Sequence, residues 1–361
     1  MFASTRTGRE VCMPCPRPNT ILSIYAAHWL REVTGRTMTL PRDVAVFFLN
    51  GLGDHLMLLP ALRALECAFQ ERLHYFGQAE GIRLLRRELP EMTCTAVPWV
   101  RGPRGYQFDQ AAIAPKLRPF DLLVCFTPWQ DESLAVLLRE AAAGATLGLT
   151  PSCRTVIDYR PGEHTIDRNF RVVTELLPDL ALQDYAAPPR SRGLGGGRPE
   201  VPVDRRPRRV LAVHNETLPH KVWPRLRLRR TLEHFLARHP DWGVIGVGRR
   251  NRDLDRMHPA GPRGRARALR LENAFRTVAA ADAFLGVDSC MLHLADLHRV
   301  PAVGLFGPPE RDPLGARAMG LRFTHHRHVS GSGSMRDIGH REVEAALEWL
   351  VRTRAPPLAL R

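Results

Sequence analysis

The sequence predicts an α/β protein made of two halves, each a parallel sheet wrapped by helices. Three observations carry that prediction. The chain has 361 residues, about 2.4 times a typical domain. Short apolar, β-rich runs alternate with segments of helical period, and the alternation occurs twice. Between the two alternations, residues 186–209 hold five prolines, four glycines and seven arginines, with almost nothing to bury.

The elements follow in order. Residues 21–36 form a short helical pattern, with Ile21, Ile24, Tyr25, Trp29 and Leu30 near one face. Val44–Leu49 is a continuous apolar run, as expected of a strand buried on both faces. A turn, Asn50–Asp54, leads into a helix marked by Leu62, Leu65, Ala68 and Phe69. Phe120–Phe126 reads as a strand, Leu134–Ala143 as a helix and Ala145–Leu149 as a strand. In the second half, strands are expected over 210–213, 243–247, 283–287 and 302–306. Helices are expected over 226–238, 274–281 and 292–297. Val343, Ala346, Leu347, Leu350 and Val351 mark a final amphipathic helix. The chain thus divides into an extension (1–40), a first domain (41–187), a linker (188–208), a second domain (209–336) and a C-terminal helix and tail (337–361).

Composition narrows the function classes. A hydrophobic fraction of 44% with 25% charged residues is globular. No run approaches the roughly 20 apolar residues that cross a bilayer, and no convincing signal peptide precedes residue 40, so a cytoplasmic protein is expected. The net charge of +15 favours anionic partners. Of the 52 basic residues all but Lys116 and Lys221 are arginine. A lysine that persists against that bias marks a place where a compact ammonium is needed. Seven scattered cysteines, with one CxxC at Cys12 and Cys15, do not read as a secreted disulfide scaffold or as a metal site.

Three loops can carry chemistry, each after a buried strand. Gly51-Leu52-Gly53-Asp54 fails the dinucleotide fingerprint, because Leu56 stands where a third small residue is required. Its carboxylate could act at the mouth of a sheet or simply cap the next helix. His214–Pro224 presents Lys221 and Thr217, a phosphate contact with a hydroxyl donor or a solvated lysine beside a packed Trp223. Gly286–Ala295 ends a strand and opens a helix whose first amides favour a pyrophosphate, with an ordinary N-cap as the alternative.

Taken together the loops resemble glycosyltransferase family 9, the ADP-heptose:lipopolysaccharide heptosyltransferases and relatives. The matching fragments are Gly51–Asp54 with Pro60-Ala61-Leu62-Arg63-Ala64-Leu65, the His-led loop to Lys221-Val222-Trp223-Pro224, Asp288–Ala295, and Phe306-Gly307-Pro308. The resemblance covers residues 43–352, the C-terminal helix included. The resemblance implies a GT-B fold, two Rossmann-like domains facing across a cleft. It implies metal-independent, inverting transfer of a heptose from a nucleotide diphosphate sugar, with no cofactor. Asp54 would be the base on a loop shaped by Gly51 and Gly53. Lys221, Thr217, His293 and the amides of Ser289, Cys290, Met291 and Leu292 would hold the phosphates, and Asp288 the sugar.

Partners expected on this basis are an ADP-sugar donor, an anionic glycan or lipid-linked acceptor and the cytoplasmic face of the inner membrane, but not nucleic acid. The chain departs from the family pattern at Cys290, where a glycine is usual, and at Pro309, where a threonine is usual. The tract His325–His328 has no counterpart and reads as a basic loop. A GT-B nucleotide-sugar epimerase and a non-catalytic nucleotide-sugar binder remain alternatives.

Overall fold

The computed structural model describes residues 41–102, 105–129, 132–141, 145–189, 209–248, 264–268, 271–307 and 315–353. The readings for residues 1–40, the Cys12–Cys15 motif, nearly all of the linker, Pro308, Pro309 and the last residues lie outside the described residues.

The first half contains β1 (Val44–Phe48), α1 (Leu52–Phe69), β2 (Leu73–Gly77), α2 (Ala79–Glu88), β3 (Thr93–Ala96), β4 (Trp99–Gly102), β5 (Gly105–Phe108), α3 (Gln110–Leu117), β6 (Leu122–Cys125), α4 (Glu132–Ala141), β7 (Ala145–Gly148), β8 (Thr155–Val156), α5 (Thr165–Leu176) and α6 (Leu182–Tyr185). Six strands pair in the order β3-β2-β1-β6-β7-β8, all parallel. β4 and β5 form a separate antiparallel hairpin. Every residue of β1 is buried, which explains its unbroken apolar sequence.

The second half contains β9 (Arg209–His214), α7 (Arg225–Arg238), β10 (Trp242–Gly248), β11 (Gly264–Ala268), α8 (Leu271–Ala279), β12 (Ala283–Val287), α9 (Cys290–Leu297), β13 (Ala302–Phe306), α10 (Gly315–Met319), β14 (His326–Ser330) and α11 (His340–Thr353). Its sheet order is β11-β10-β9-β12-β13-β14, again all parallel. Numbered within each sheet, both orders read 3-2-1-4-5-6, the doubly wound arrangement. The fold is therefore α/β with two Rossmann-like sheets. α11 returns to the second half and packs Val343, Leu347 and Leu350 with Leu228 and Phe235 of α7.

The tract His325–His328 is not a loop. It runs into β14, the edge strand of the second sheet. His325 stacks on Trp349 with ring centroids 4.5 Å apart, and His326 stacks on His328 at 4.6 Å. Edge-strand alternation and the α11 indole account for these residues. Cys67 is disulfide-bonded, a pairing that the scattered spacing does not signal. Cys94, Cys125, Cys153 and Cys290 are free thiols. Among the described residues no helix is long and apolar enough to cross a membrane.

Candidate active site

In a doubly wound sheet, adjacent loops diverge where the strand order reverses, and ligands bind there at the strand C-termini. In the first sheet that point lies between β1 and β6, and in the second between β9 and β12. The loop after β1 carries Asp54, the loop after β9 carries Lys221, and the loop after β12 carries Asp288. The two switch points face each other.

Asp54 stands at the third position of α1 and accepts the Gly51 N–H on Oδ2 at 3.1 Å. The helix-capping role raised by the sequence is thus real, and it does not exclude a chemical one. Burial pushes the carboxyl up to about 6. His293, the Gly51 amide and Lys221 pull it down, while Asp288 pushes it further up. Acid from the first half and charges from the second therefore act on one another directly. Gly53 makes this approach possible: a Cβ there would lie 2.9 Å from His293 Cδ2 and 3.4 Å from the Cys290 Cα.

The loop that presents Lys221 is closed by a residue the sequence reading passed over. Asn215 Oδ1 accepts the Trp223 N–H and Asn215 Nδ2 donates to the Trp223 carbonyl, both at 2.9 Å. Trp223 is fully buried and its Nε1–H donates to the Ile338 carbonyl at 3.1 Å. His214 donates from Nδ1 to the Val247 carbonyl at 2.6 Å, tying the ends of β9 and β10. On this base Lys221 Nζ reaches Asp288 Oδ2 at 2.6 Å. His293 Nε2 lies 3.5 Å from the other oxygen, Asp288 Oδ1. Burial would raise the Asp288 carboxyl, but His293 and Lys221 outweigh it and hold it at about 2. Asp288 is thus a fixed anion held between the Lys221 ammonium and the His293 ring. Thr217 lies exposed farther along the same loop.

The first turn of α9 modifies the expected amide set. The Leu292 N–H donates to the Ser289 carbonyl at 3.0 Å, a tight first turn that withdraws it from any ligand. Ser289 is the N-cap, yet its hydroxyl makes no capping bond and has no hydrogen-bond partner among the described residues. The Cys290 thiol is pushed up to about 11 by burial, against the pull of the Cys290 and Met291 amides that face it. The Cys290 side chain therefore lies beside those two amides. Among the described residues no group of three or more His, Cys, Asp or Glu side chains is placed to hold a metal ion.

Sequence reasoning also missed the residues beneath the Asp54 loop. The Leu49 N–H donates to Thr127 Oγ1 at 3.1 Å, and Trp129 Nε1–H donates to the Leu49 carbonyl at 3.2 Å. Both partners follow β6, about 80 residues away in the chain, and no local pattern marks them.

Comparisons with known proteins bear on the family and the fold. The profile of glycosyltransferase family 9 (heptosyltransferase) matches residues 141–330, just over half of the chain. Among solved structures, a family 9 glycosyl transferase from Veillonella parvula DSM 2008 is similar at 15% identity and a TM-score of 0.64, covering 86% of this chain and 97% of that one. E. coli heptosyltransferase WaaC with ADP is similar at 15% identity and a TM-score of 0.65, covering 85% and 99%. E. coli ADP-heptose lps heptosyltransferase II gives 16% identity and a TM-score of 0.59, covering 86% and 98%. These three share the GT-B fold. No curated protein sequence matches significantly. With the profile spanning most of the second half and the fold shared throughout, the chain belongs to glycosyltransferase family 9, the heptosyltransferase family, and is a glycosyltransferase.

Proposed function

We propose that the enzyme transfers a heptose, or a sugar like it, from ADP-heptose to a hydroxyl of an anionic glycan or lipid-linked acceptor. The observation that carries this reading is the meeting of Asp54, raised to about 6, with Lys221, Asp288 and His293 from the opposite half. A base with a pKa near 6 is ionised at neutral pH and still takes a proton readily. In the proposed step the acceptor oxygen attacks the anomeric carbon and its proton passes to Asp54. The bond from that carbon to the diphosphate breaks with inversion, and ADP leaves with the electron pair.

Lys221, the unpartnered Ser289 hydroxyl and the Cys290 and Met291 amides meet the charge that grows on the diphosphate. No metal is needed where an ammonium and a helix N-terminus share that task. Asp288 holds Lys221 in place before the donor arrives and offers an oxygen to the sugar hydroxyls. ADP as the nucleotide is supported by the similarity to WaaC, which is solved with ADP. An anionic acceptor at a membrane face is supported by the net charge of +15.

A thermal-shift panel of ADP, UDP and GDP tests the donor. ADP at 100 times its dissociation constant adds about 2.7 kcal/mol to stability, and Lys221→Ala should abolish that shift. A response to UDP or GDP with none to ADP would remove the heptose donor. ADP binding without ADP release from ADP-heptose under any acceptor would favour a non-catalytic binder.

A further inference from the structure

Four consecutive carbonyls lead into the Asp54 loop, and each has a different side chain beside it. Tyr75 Oη lies 3.4 Å from the Phe48 carbonyl, Trp129 Nε1 donates to that of Leu49, and Gln78 Nε2 to that of Asn50. The fourth bond differs, because it acts on the residue whose own N–H holds the carboxylate. His55 Nδ1 donates to the Gly51 carbonyl at 2.9 Å, while the N–H of Gly51 donates to Asp54 Oδ2 at 3.1 Å.

A carbonyl only accepts, so Nδ1 of His55 carries the proton and Nε2 is an acceptor. Tyr75 Oη is 2.8 Å from that Nε2, and its single proton goes there rather than to the more distant Phe48 carbonyl. His55 is fully buried, and burial lowers it to about 4, so the ring stays neutral and keeps this tautomer across the working pH range. The neighbouring backbone is shaped around the pair. A Cβ on Gly81 would fall 2.0 Å from His55 Nε2, and one on Gly77 would fall 2.5 Å from the Tyr75 ring.

We infer that Tyr75 and His55 are positioning residues that fix the backbone of Gly51 at its carbonyl and, through the N–H on the other side of its Cα, the orientation of the Asp54 carboxylate. This rests on the reading of Asp54 as the base. The imidazole does not touch the carboxylate and transfers no proton. It sets the angle at which Asp54 faces the acceptor, and it preserves the amide bond that opposes the effect of burial on Asp54. The other titratable groups facing Asp54 are His293, Asp288 and Lys221, all from the second half.

The test measures ADP release from ADP-heptose with a heptose-free lipopolysaccharide core as acceptor, alongside calorimetric ADP binding. His55→Leu should lower kcat about 10- to 100-fold, the range expected when a reacting group is misplaced by a fraction of an ångström to one ångström. ADP affinity should stay unchanged, and the acid limb of the pH profile should move to higher pH. His55→Asn retains an N–H near the place of Nδ1 and should restore kcat to within about threefold, with the acid limb back in place. Tyr75→Phe should lower kcat by about threefold to tenfold at constant ADP affinity.

Equal losses in His55→Leu and His55→Asn, or losses that follow melting temperature, overturn the inference. If His55→Leu does not fold, an unchanged kcat and acid limb in Tyr75→Phe overturn it instead. Asp54→Asn separates the two readings. Full activity there removes the base itself, whereas an inactive Asp54→Asn beside a fully active His55→Leu removes only the positioning role.

Discussion

Asp54 is held in the folded protein at a stability cost. Its pKa rises from 3.8 to about 6, so the folded state binds the proton more tightly than the unfolded chain. Stability from that proton is fully present below pH 4 and is lost as pH rises through 6. At pH 7.5 the ionised side chain therefore destabilises the protein by about 2–3 kcal/mol, at 1.36 kcal/mol per pKa unit. Asp54→Asn should melt higher than wild type at pH 7.5, with the gap closing by pH 4, in paired thermal unfolding scans. A loss of stability in Asp54→Asn at pH 7.5 would mean that the capping bond to Gly51 outweighs the burial of charge. Asp288 has the opposite sign, since its pKa is lowered to about 2 and its contribution is lost only as pH falls toward that value.

At the scale of elements, the glycines at strand and helix junctions make separable predictions. Gly53→Ala places a Cβ 2.9 Å from His293 Cδ2, so α1 and α9 must move apart. Gly81→Ala places a Cβ 2.0 Å from His55 Nε2, against a ring fixed on both sides. Overpacking of this kind costs typically 1–3 kcal/mol. Gly81→Ala should show that cost in urea unfolding, whereas Gly53→Ala should show less of it and a weaker ADP response.

The sequence made much of this scale legible. Val44–Phe48, 283–287 and 302–306 are fully buried strands, and an unbroken apolar run is what burial on both faces requires. β3 and the two-residue β8 escaped because their half-exposed residues carry no period. Among site residues, Asp54, Lys221 and Asp288 were legible because each follows a buried strand. Asn215, His55, Tyr75 and Trp129 were not, because their meaning lies in partners that only folding brings near.

Across the whole molecule the two halves meet through contacts of unequal weight. Leu56 of α1 packs among Phe284, Met291 and Leu292 of the second half. Arg322 binds Asp167 through two hydrogen bonds of 2.9 and 3.0 Å on the surface. His164 is buried, accepts the Ile166 N–H on Nδ1 at 3.1 Å and donates from Nε2 to the Gly320 carbonyl at 2.8 Å. Exposed ion pairs contribute about 0–1 kcal/mol, while stranding a buried backbone group costs about 1–3 kcal/mol. His164→Ala should therefore lower the denaturation midpoint more than Arg322→Ala does. Burial lowers the His164 pKa, so its contribution is present above the ordinary histidine range and is lost as pH falls through the folded value. The predicted ordering should widen at pH 7 and narrow under acid.

The near-contact of Gly53 with the His293 ring has a temporal side. A sugar cannot pass between two groups already so close, so a donor entering between them has to part α1 from α9. A motion of that kind responds to solvent viscosity, so added sucrose should slow the association of ADP with the free enzyme.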